Sequence, residues 1–165
     1  MIITLEQIKT YFQVSNEIHA INLRIQRILD KYLLGIFIAR KGGDILYSKQ
    51  FQTNNNFNLD LMSNFISALS LFGEENIGDI KRIFVEGLNL TMNIVAKHDL
   101  ILTILFGPDM TQDFLDEEIH KGLDMFYNEY KTQIDKSLTN QAIYQKFDDK
   151  MAVLIHSYLV RINAL

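Results

Sequence analysis

Apolar and polar positions along this chain follow two different periods, and the switches between them mark out its elements. Thr4-Leu5-Glu6-Gln7 has capping-box spacing, and Leu5, Ile8 and Phe12 continue at helical intervals. A second helical stripe carries Ile18, Ile21, Ile25, Ile28 and Tyr32, with Ser15 or Asn16 as its cap. These form an N-terminal helical extension over about residues 1–32. The period then changes. Leu33 to Ala39 is apolar at alternating positions of both parities, as in a strand covered on both faces. Arg40-Lys41-Gly42-Gly43-Asp44 supplies a tight turn, and Ile45 to Phe51 returns as a second strand with a more polar far half. An asparagine-rich loop, Gln52 to Asn58, precedes a helix predicted over Leu59 to Phe72. Its buried stripe is predicted as Leu61, Phe65, Ala68, Leu69 and Phe72, with Gly73 ending it.

Three strands follow in quick succession: Ile80–Glu86, Leu90–Ala96 and Leu100–Phe106. The breaks at Gly87-Leu88-Asn89 and Lys97-His98-Asp99 are short enough for hairpins. Gly107-Pro108 stops the sheet. One long helix is predicted over about Thr111 to Ile134 and another over about Asn140 to Ile162. The last carries so wide an apolar surface that it calls for two neighbours or a partner. Strands one and five are apolar on both faces and belong in the middle; strands two and three carry charges and belong at the edges. With hairpins joining one to two, three to four and four to five, the order is 2-1-5-4-3. The fold class is therefore α+β: a single domain over 1–165, a five-stranded antiparallel sheet with one helix on one face and long helices on the other.

Composition narrows the chemistry more than the fold. There is no cysteine, which excludes disulfides, thiolate catalysis and zinc–cysteine or iron–sulfur sites. Sixteen basic against twenty acidic residues give a net charge of −4, which argues against a broad nucleic-acid surface. No apolar run reaches the ~20 residues of a membrane helix, and Met1-Ile2-Ile3 lacks the basic start of a signal peptide. The expected location is cytoplasmic.

Catalytic and ligand constellations are thin. His19, His98, His120 and His156 have no metal-ligand spacing. Asp116, His120 and Asp124 share one helix face, which reads first as a solvated stripe. Gly42-Gly43 joins two strands and opens no helix, so it is a turn and not a phosphate cradle. The pairs Glu74-Glu75, Glu117-Glu118 and Asp148-Asp149 sit in polar stretches and are expected to be solvated. Arg24, Arg27, Lys31, Arg40 and Lys41 make the one local positive excess, suited at most to peripheral contact with acidic lipid or protein surfaces. No cofactor and no metal are expected, and no enzyme activity.

The succession of hairpin, helix, three-strand meander and helix resembles the core shared by longin and roadblock domains, which have a profilin-like sheet. The hairpin from Gly35 to Tyr47 carries most of the likeness, continued by Phe65-Ile66-Ser67-Ala68-Leu69, by Ile83 to Gly87 and by Leu100 to Phe106. About residues 33–135 are covered, mostly by pattern. A leading helix suits roadblock domains and two trailing helices suit longin domains; this chain has both. The resemblance implies a non-enzymatic module that binds a small GTPase or joins a vesicle-trafficking complex, as a homodimer or heterodimer. It further implies a partner or dimer surface at Phe65, Leu69, Lys81, Ile83 and Val85. The alternative is a profilin-like or PAS-like sensor of a small molecule. That would need an internal cavity lined by Thr91, Asn93 and Thr103.

Overall fold

A computed structural model of the chain describes residues 3–13, 25, 27–29, 33–51, 58–87, 89–107 and 115–164. Four α-helices and five strands appear among them: α1 (Leu5–Gln13), β1 (Gly35–Arg40), β2 (Ile45–Gln50), α2 (Leu59–Asn76), β3 (Arg82–Glu86), β4 (Thr91–Lys97), β5 (Leu100–Phe106), α3 (Leu115–Asp135) and α4 (Asp148–Arg161). The sheet is antiparallel in the order β2-β1-β5-β4-β3, as the strand polarity predicts. β1 and β5 are buried almost throughout, whereas β3 reads exposed, half-buried, exposed along its length.

Two apolar layers sandwich the sheet. Phe37, Ala39, Ile45, Ile94, Ile101 and Leu105 point to one side, where Ile66 of α2 meets them. Ile36, Ile38, Leu46, Val95, Leu102 and Ile104 point to the other and pack on Ile119, Leu123 and Phe126 of α3 and on Met151 and Ile155 of α4. α1 lies against α4, so the N-terminal helix packs on its own chain and α4 uses its wide apolar surface on two neighbours. Ile25 and Leu29 are buried in the same layer. Ser15, Asn16, Ile18, Ile21, Arg24, Lys31 and Tyr32 lie outside the described residues.

Local signals formed as expected at two helix starts. The Thr4 N–H donates to Gln7 Oε1 at 2.8 Å while the Gln7 N–H donates to Thr4 Oγ1 at 3.3 Å, a reciprocal capping box. Asn58 caps α2 by accepting from the Leu61 N–H at 3.0 Å.

Several expectations are overturned. The final helix is not continuous from Asn140: residues Gln141–Phe147 form a 3₁₀ segment before α4 begins. A 3₁₀ turn stacks side chains at i and i+3. Tyr144 and Phe147 thereby enter one aromatic cluster together, with Phe126 at 5.5 and 5.0 Å and Tyr47 edge-on to Phe147. The carboxylate pairs are not uniformly solvated either. Glu118 is buried, with Arg161 at 3.3 Å, and Asp148 accepts from the Tyr47 hydroxyl at 2.7 Å beside Lys49 at 2.9 Å. Arg40 and Lys41 are engaged internally: Arg40 donates to the Ile134 carbonyl at the end of α3, and Lys41 pairs with Glu74. Neither therefore supports the basic patch. The largest departure concerns α2.

Candidate interaction surface

α2 runs on through Gly73 to Asn76, and its predicted buried stripe faces outward. Leu61 is 67% exposed, Phe65 55% and Phe72 63%, with Leu71 and Ala68 also exposed and Leu69 half-buried. The inward face consists of Ser63, Ile66, Ser67, Ser70 and Gly73. Small residues there let the helix settle onto the β1–β2 turn. The Ser63 hydroxyl donates to the Gly43 carbonyl at 2.7 Å, and the Ser67 hydroxyl donates to the Lys41 carbonyl. Glycine suits positions 43 and 73, at Gly43 chiefly through its positive φ. A Cβ on Gly43, at φ 104°, would meet Asn64 Oδ1 at 2.6 Å, and one on Gly73 would meet the Ile80 side chain at 2.1 Å.

The usual amphipathic arrangement is thus inverted: hydroxyls satisfied by turn carbonyls lie inside, and large apolar groups lie outside. Fully burying a Leu or Phe side chain is worth about 1.5–3 kcal/mol, so each two-thirds-exposed one forgoes about 1–2 kcal/mol. Leu61, Phe65, Ala68 and Phe72 follow one another at spacings of four, three and four, the repeat of a helix–helix seam.

β3 closes the sheet beside this helix. Ile83 and Val85 point to the α2 side, half-buried against the Phe37 and Ile94 layer, while Arg82, Phe84 and Glu86 point to the other side. The Ala96 N–H donates to the Lys81 carbonyl and the Gly87 N–H to the Leu90 carbonyl. Hydrogen-bonded pairs alternate along an antiparallel ladder. The backbone groups of Ile83 and Val85 therefore face β4, and those of Arg82, Phe84 and Glu86 face away from the sheet.

Of the residues singled out from the sequence, Phe65 and Leu69 lie on α2, Lys81 at the mouth of β3, and Ile83 and Val85 on its α2 face. Gly73 and Ile80 bring the end of α2 against the approach to β3. Sequence reasoning missed Leu61 and Phe72, which it placed in the core, and Arg82, Phe84 and Glu86. The signal for the helix was present: Ser63, Ser67, Ser70 and Gly73 form a second stripe of small residues, opposite the apolar one.

The ionic frame around this surface is fixed. Lys41 Nζ lies 2.5 Å from Glu74 on α2 and 3.8 Å from Asp99 in the β4–β5 turn. The hydrogen bond to Glu74 raises the Lys41 ammonium above its usual range. At the same β4–β5 turn Asp124 of α3 receives Lys97 and His98, each at 2.8 Å, and the Lys97 and His98 hydrogen bonds hold its carboxyl below the usual carboxylate range. Asp124 is therefore occupied, and among the described residues no cluster of three metal-binding side chains exists.

Thr91, Asn93 and Thr103 are buried, but the two described cavities lie elsewhere. One, of about 30 Å³, is a partly open cleft between α3, α4 and the sheet, lined by apolar residues and by Glu118. The other, of about 160 Å³, lies between β2 and the 3₁₀ segment. No described helix is long and apolar enough to cross a membrane.

Strand order, hairpin, crossover helix and trailing helices make this a longin/roadblock-like fold. Solved structures similar to the chain include a Roadblock/LC7 domain from Streptomyces avermitilis, at 13% identity and TM-score 0.48, covering 66% of this chain and 92% of that one. Myxococcus xanthus MglB is similar at 16% identity and TM-score 0.49, covering 70% and 91%. The gliding protein MglB from Thermus thermophilus is similar at 10% identity and TM-score 0.43, covering 62% and 73%. No family model matches the chain, and no curated protein does.

Proposed function

We propose that this protein is a non-enzymatic interaction module whose outer α2 face and β3 edge are covered by a protein partner. One observation carries the reading: α2 exposes Leu61, Phe65 and Phe72 while burying serines. Phe65, Leu69, Lys81, Ile83 and Val85 belong to that surface.

The first occupant is a second copy of the chain. Arg82-Ile83-Phe84-Val85-Glu86 is charge-palindromic. Pairing β3 antiparallel with its own copy about Phe84 sets Arg82 opposite Glu86 of the second copy, Phe84 opposite Phe84, and Ile83 opposite Val85. The outward backbone groups of Arg82, Phe84 and Glu86 supply the hydrogen bonds. Pairing α2 antiparallel with its copy about the midpoint of Phe65 and Ala68 sets Phe65 against Ala68 of the second α2, a large group on a small one, and Leu61 against Phe72. Such a dimer is a platform. The resemblance to longin and roadblock proteins adds the partner class: a small GTPase or a trafficking-complex subunit.

Sedimentation and nucleotide-dependent capture test both halves. The chain is expected to sediment as a dimer, and Leu69→Glu with Ile83→Glu is expected to make it monomeric. Immobilised dimer is expected to retain a small GTPase, identified by mass, in only one of the GDP and non-hydrolysable GTP states. A monomer at all concentrations defeats the dimer; a dimer that ignores every GTPase in both states defeats the partner class.

A further inference from the structure

β2 forms the edge of the sheet opposite β3, and the cleft of about 160 Å³ lies between it and the 3₁₀ segment. Residues of β2 make one wall. On the other stand Ala142, Gln145 and Asp148, three apart, with Gln141 beside them. Three residues is the 3₁₀ repeat, so these side chains form one row, which an α-helix would splay by about 60° at each step.

The row ends in a charged pair. Lys49 Nζ lies 2.9 Å from Asp148 Oδ2, and the Tyr47 hydroxyl donates to Asp148 Oδ1 at 2.7 Å. Burial first, and then the Asp148 carboxylate, push the Tyr47 hydroxyl above its usual range, so it stays a donor and fixes the carboxylate. The Phe12 ring, 5.5 Å from Lys49 Nζ, holds the ammonium from the α1 side. The Lys49 and Asp148 side chains are only 23% and 17% exposed. Taking two charges out of water costs about as much as their attraction returns, so the pair adds little stability as a clip. Nor is its bonding capacity filled. An ammonium has three N–H groups and a carboxylate about four acceptor positions, of which the contacts with described residues use one and two. Gln141 and Gln145 add two amides that no other described residue engages.

A cation and an anion fixed side by side select a ligand that carries both signs close together. A lone carboxylate is repelled by Asp148 and a lone ammonium by Lys49, whereas a zwitterion satisfies both. A cavity of about 150 Å³ holds benzene, so this cleft has room for a small amino acid, with Leu46 and Ala142 as apolar wall for a short side chain. We propose that the cleft between β2 and the 3₁₀ segment binds a free α-amino acid with a small apolar side chain. Its carboxylate lies on Lys49 and the glutamine amides, and its ammonium on Asp148. The site is at the sheet edge remote from β3 and does not depend on the dimer.

The probes are L-alanine and L-valine, with ethylamine and isobutylamine as their decarboxylated counterparts and propanoate and 3-methylbutanoate as their deaminated ones. Amide proton–nitrogen spectra of the isotope-labelled full chain read binding residue by residue. Saturable shifts confined to β2 and the 3₁₀ segment are expected with the amino acids, and binding about tenfold or more weaker with every counterpart. Lys49→Met should let the amines bind at least as well as the amino acids, and Asp148→Asn should do the same for the carboxylates. A merely structural ion pair would produce neither exchange of preference. Gln145→Leu should weaken the amino acids about fivefold. The Leu69→Glu, Ile83→Glu variant should bind as the parent does, whatever its state of association. No saturation with either amino acid by about 10 mM, tenfold beyond a dissociation constant of about 1 mM, overturns the site. Counterparts that bind as well as the amino acids overturn it too, as do variants that keep the parent's preference.

Discussion

Reversing one charge on β3 tests the two-fold pairing with little effect on the core of a single copy, because Arg82 and Glu86 are exposed at the sheet edge. In the proposed register Arg82 faces Glu86 of the second copy twice per dimer. A cross-strand pair of opposite charges is worth about 0.2–1 kcal/mol, and like charges in that place cost a similar amount. Arg82→Glu converts both pairs to carboxylate against carboxylate, and Glu86→Arg converts both to guanidinium against guanidinium. Each pair then changes by about 1 kcal/mol and the dimer by about 2, or roughly 30-fold in dissociation constant. Mixing the two variants restores both pairs of opposite charge in the heterodimer, and the double variant restores both in its own homodimer. Sedimentation equilibrium on each variant, with native mass spectrometry of the mixture, gives the constants. The differences should shrink near 1 M salt, where the screening length falls to about 3 Å. A double variant that associates no better than either single variant refutes the register, as do single variants that dimerise like the parent.

Four further outcomes follow from the placement of named side chains. Ser67→Leu on the inward face of α2 removes the hydrogen bond to the Lys41 carbonyl and overfills the seat on the turn. It should cost about 2–4 kcal/mol in urea unfolding. Phe65→Ser on the outward face, where the side chain is 55% exposed, should change the unfolding of dilute monomer by only about 1 kcal/mol. Asp124 has a depressed carboxyl pKa, so its contribution is present above the ordinary value of 3.8 and is lost as pH falls through its lower folded value. Asp124→Asn should flatten the acid limb of a stability–pH profile, and an unchanged limb would show that Lys97 and His98 gain nothing from it. Tyr144→Phe deletes the hydroxyl that donates to the Leu138 carbonyl at 2.5 Å, and should lower stability by about 1 kcal/mol in thermal unfolding.

The sheet was legible because strand polarity reports position. Doubly apolar β1 and β5 had to be central, charged β3 had to be an edge, and three short hairpins left one order. Helix caps were legible for the same reason: Thr4, Gln7 and Asn58 act within three residues of themselves. The 3₁₀ segment was not. Gln141 to Phe147 has ordinary helix formers, and its tighter winding follows from seating Tyr144 and Phe147 together on Phe126, a tertiary demand with no local signal. The burial of Glu118 likewise depends on Arg161, far along the chain.

The error at α2 is the most instructive, because the stripe was read correctly and turned the wrong way. Periodicity identifies which residues share a face and not which way that face looks. The rule that apolar faces turn inward holds only when a helix has a single hydrophobic task. In α2 the monomer is satisfied by Ser63, Ile66, Ser67 and Gly73, whose small size and hydroxyls match the β1–β2 turn. Leu61, Phe65 and Phe72 therefore contribute little to the fold of one copy and are available for assembly. Folding and association are written on opposite faces of one helix. Substitutions on one face should consequently leave the other property unchanged, a separation that an ordinary amphipathic helix cannot offer.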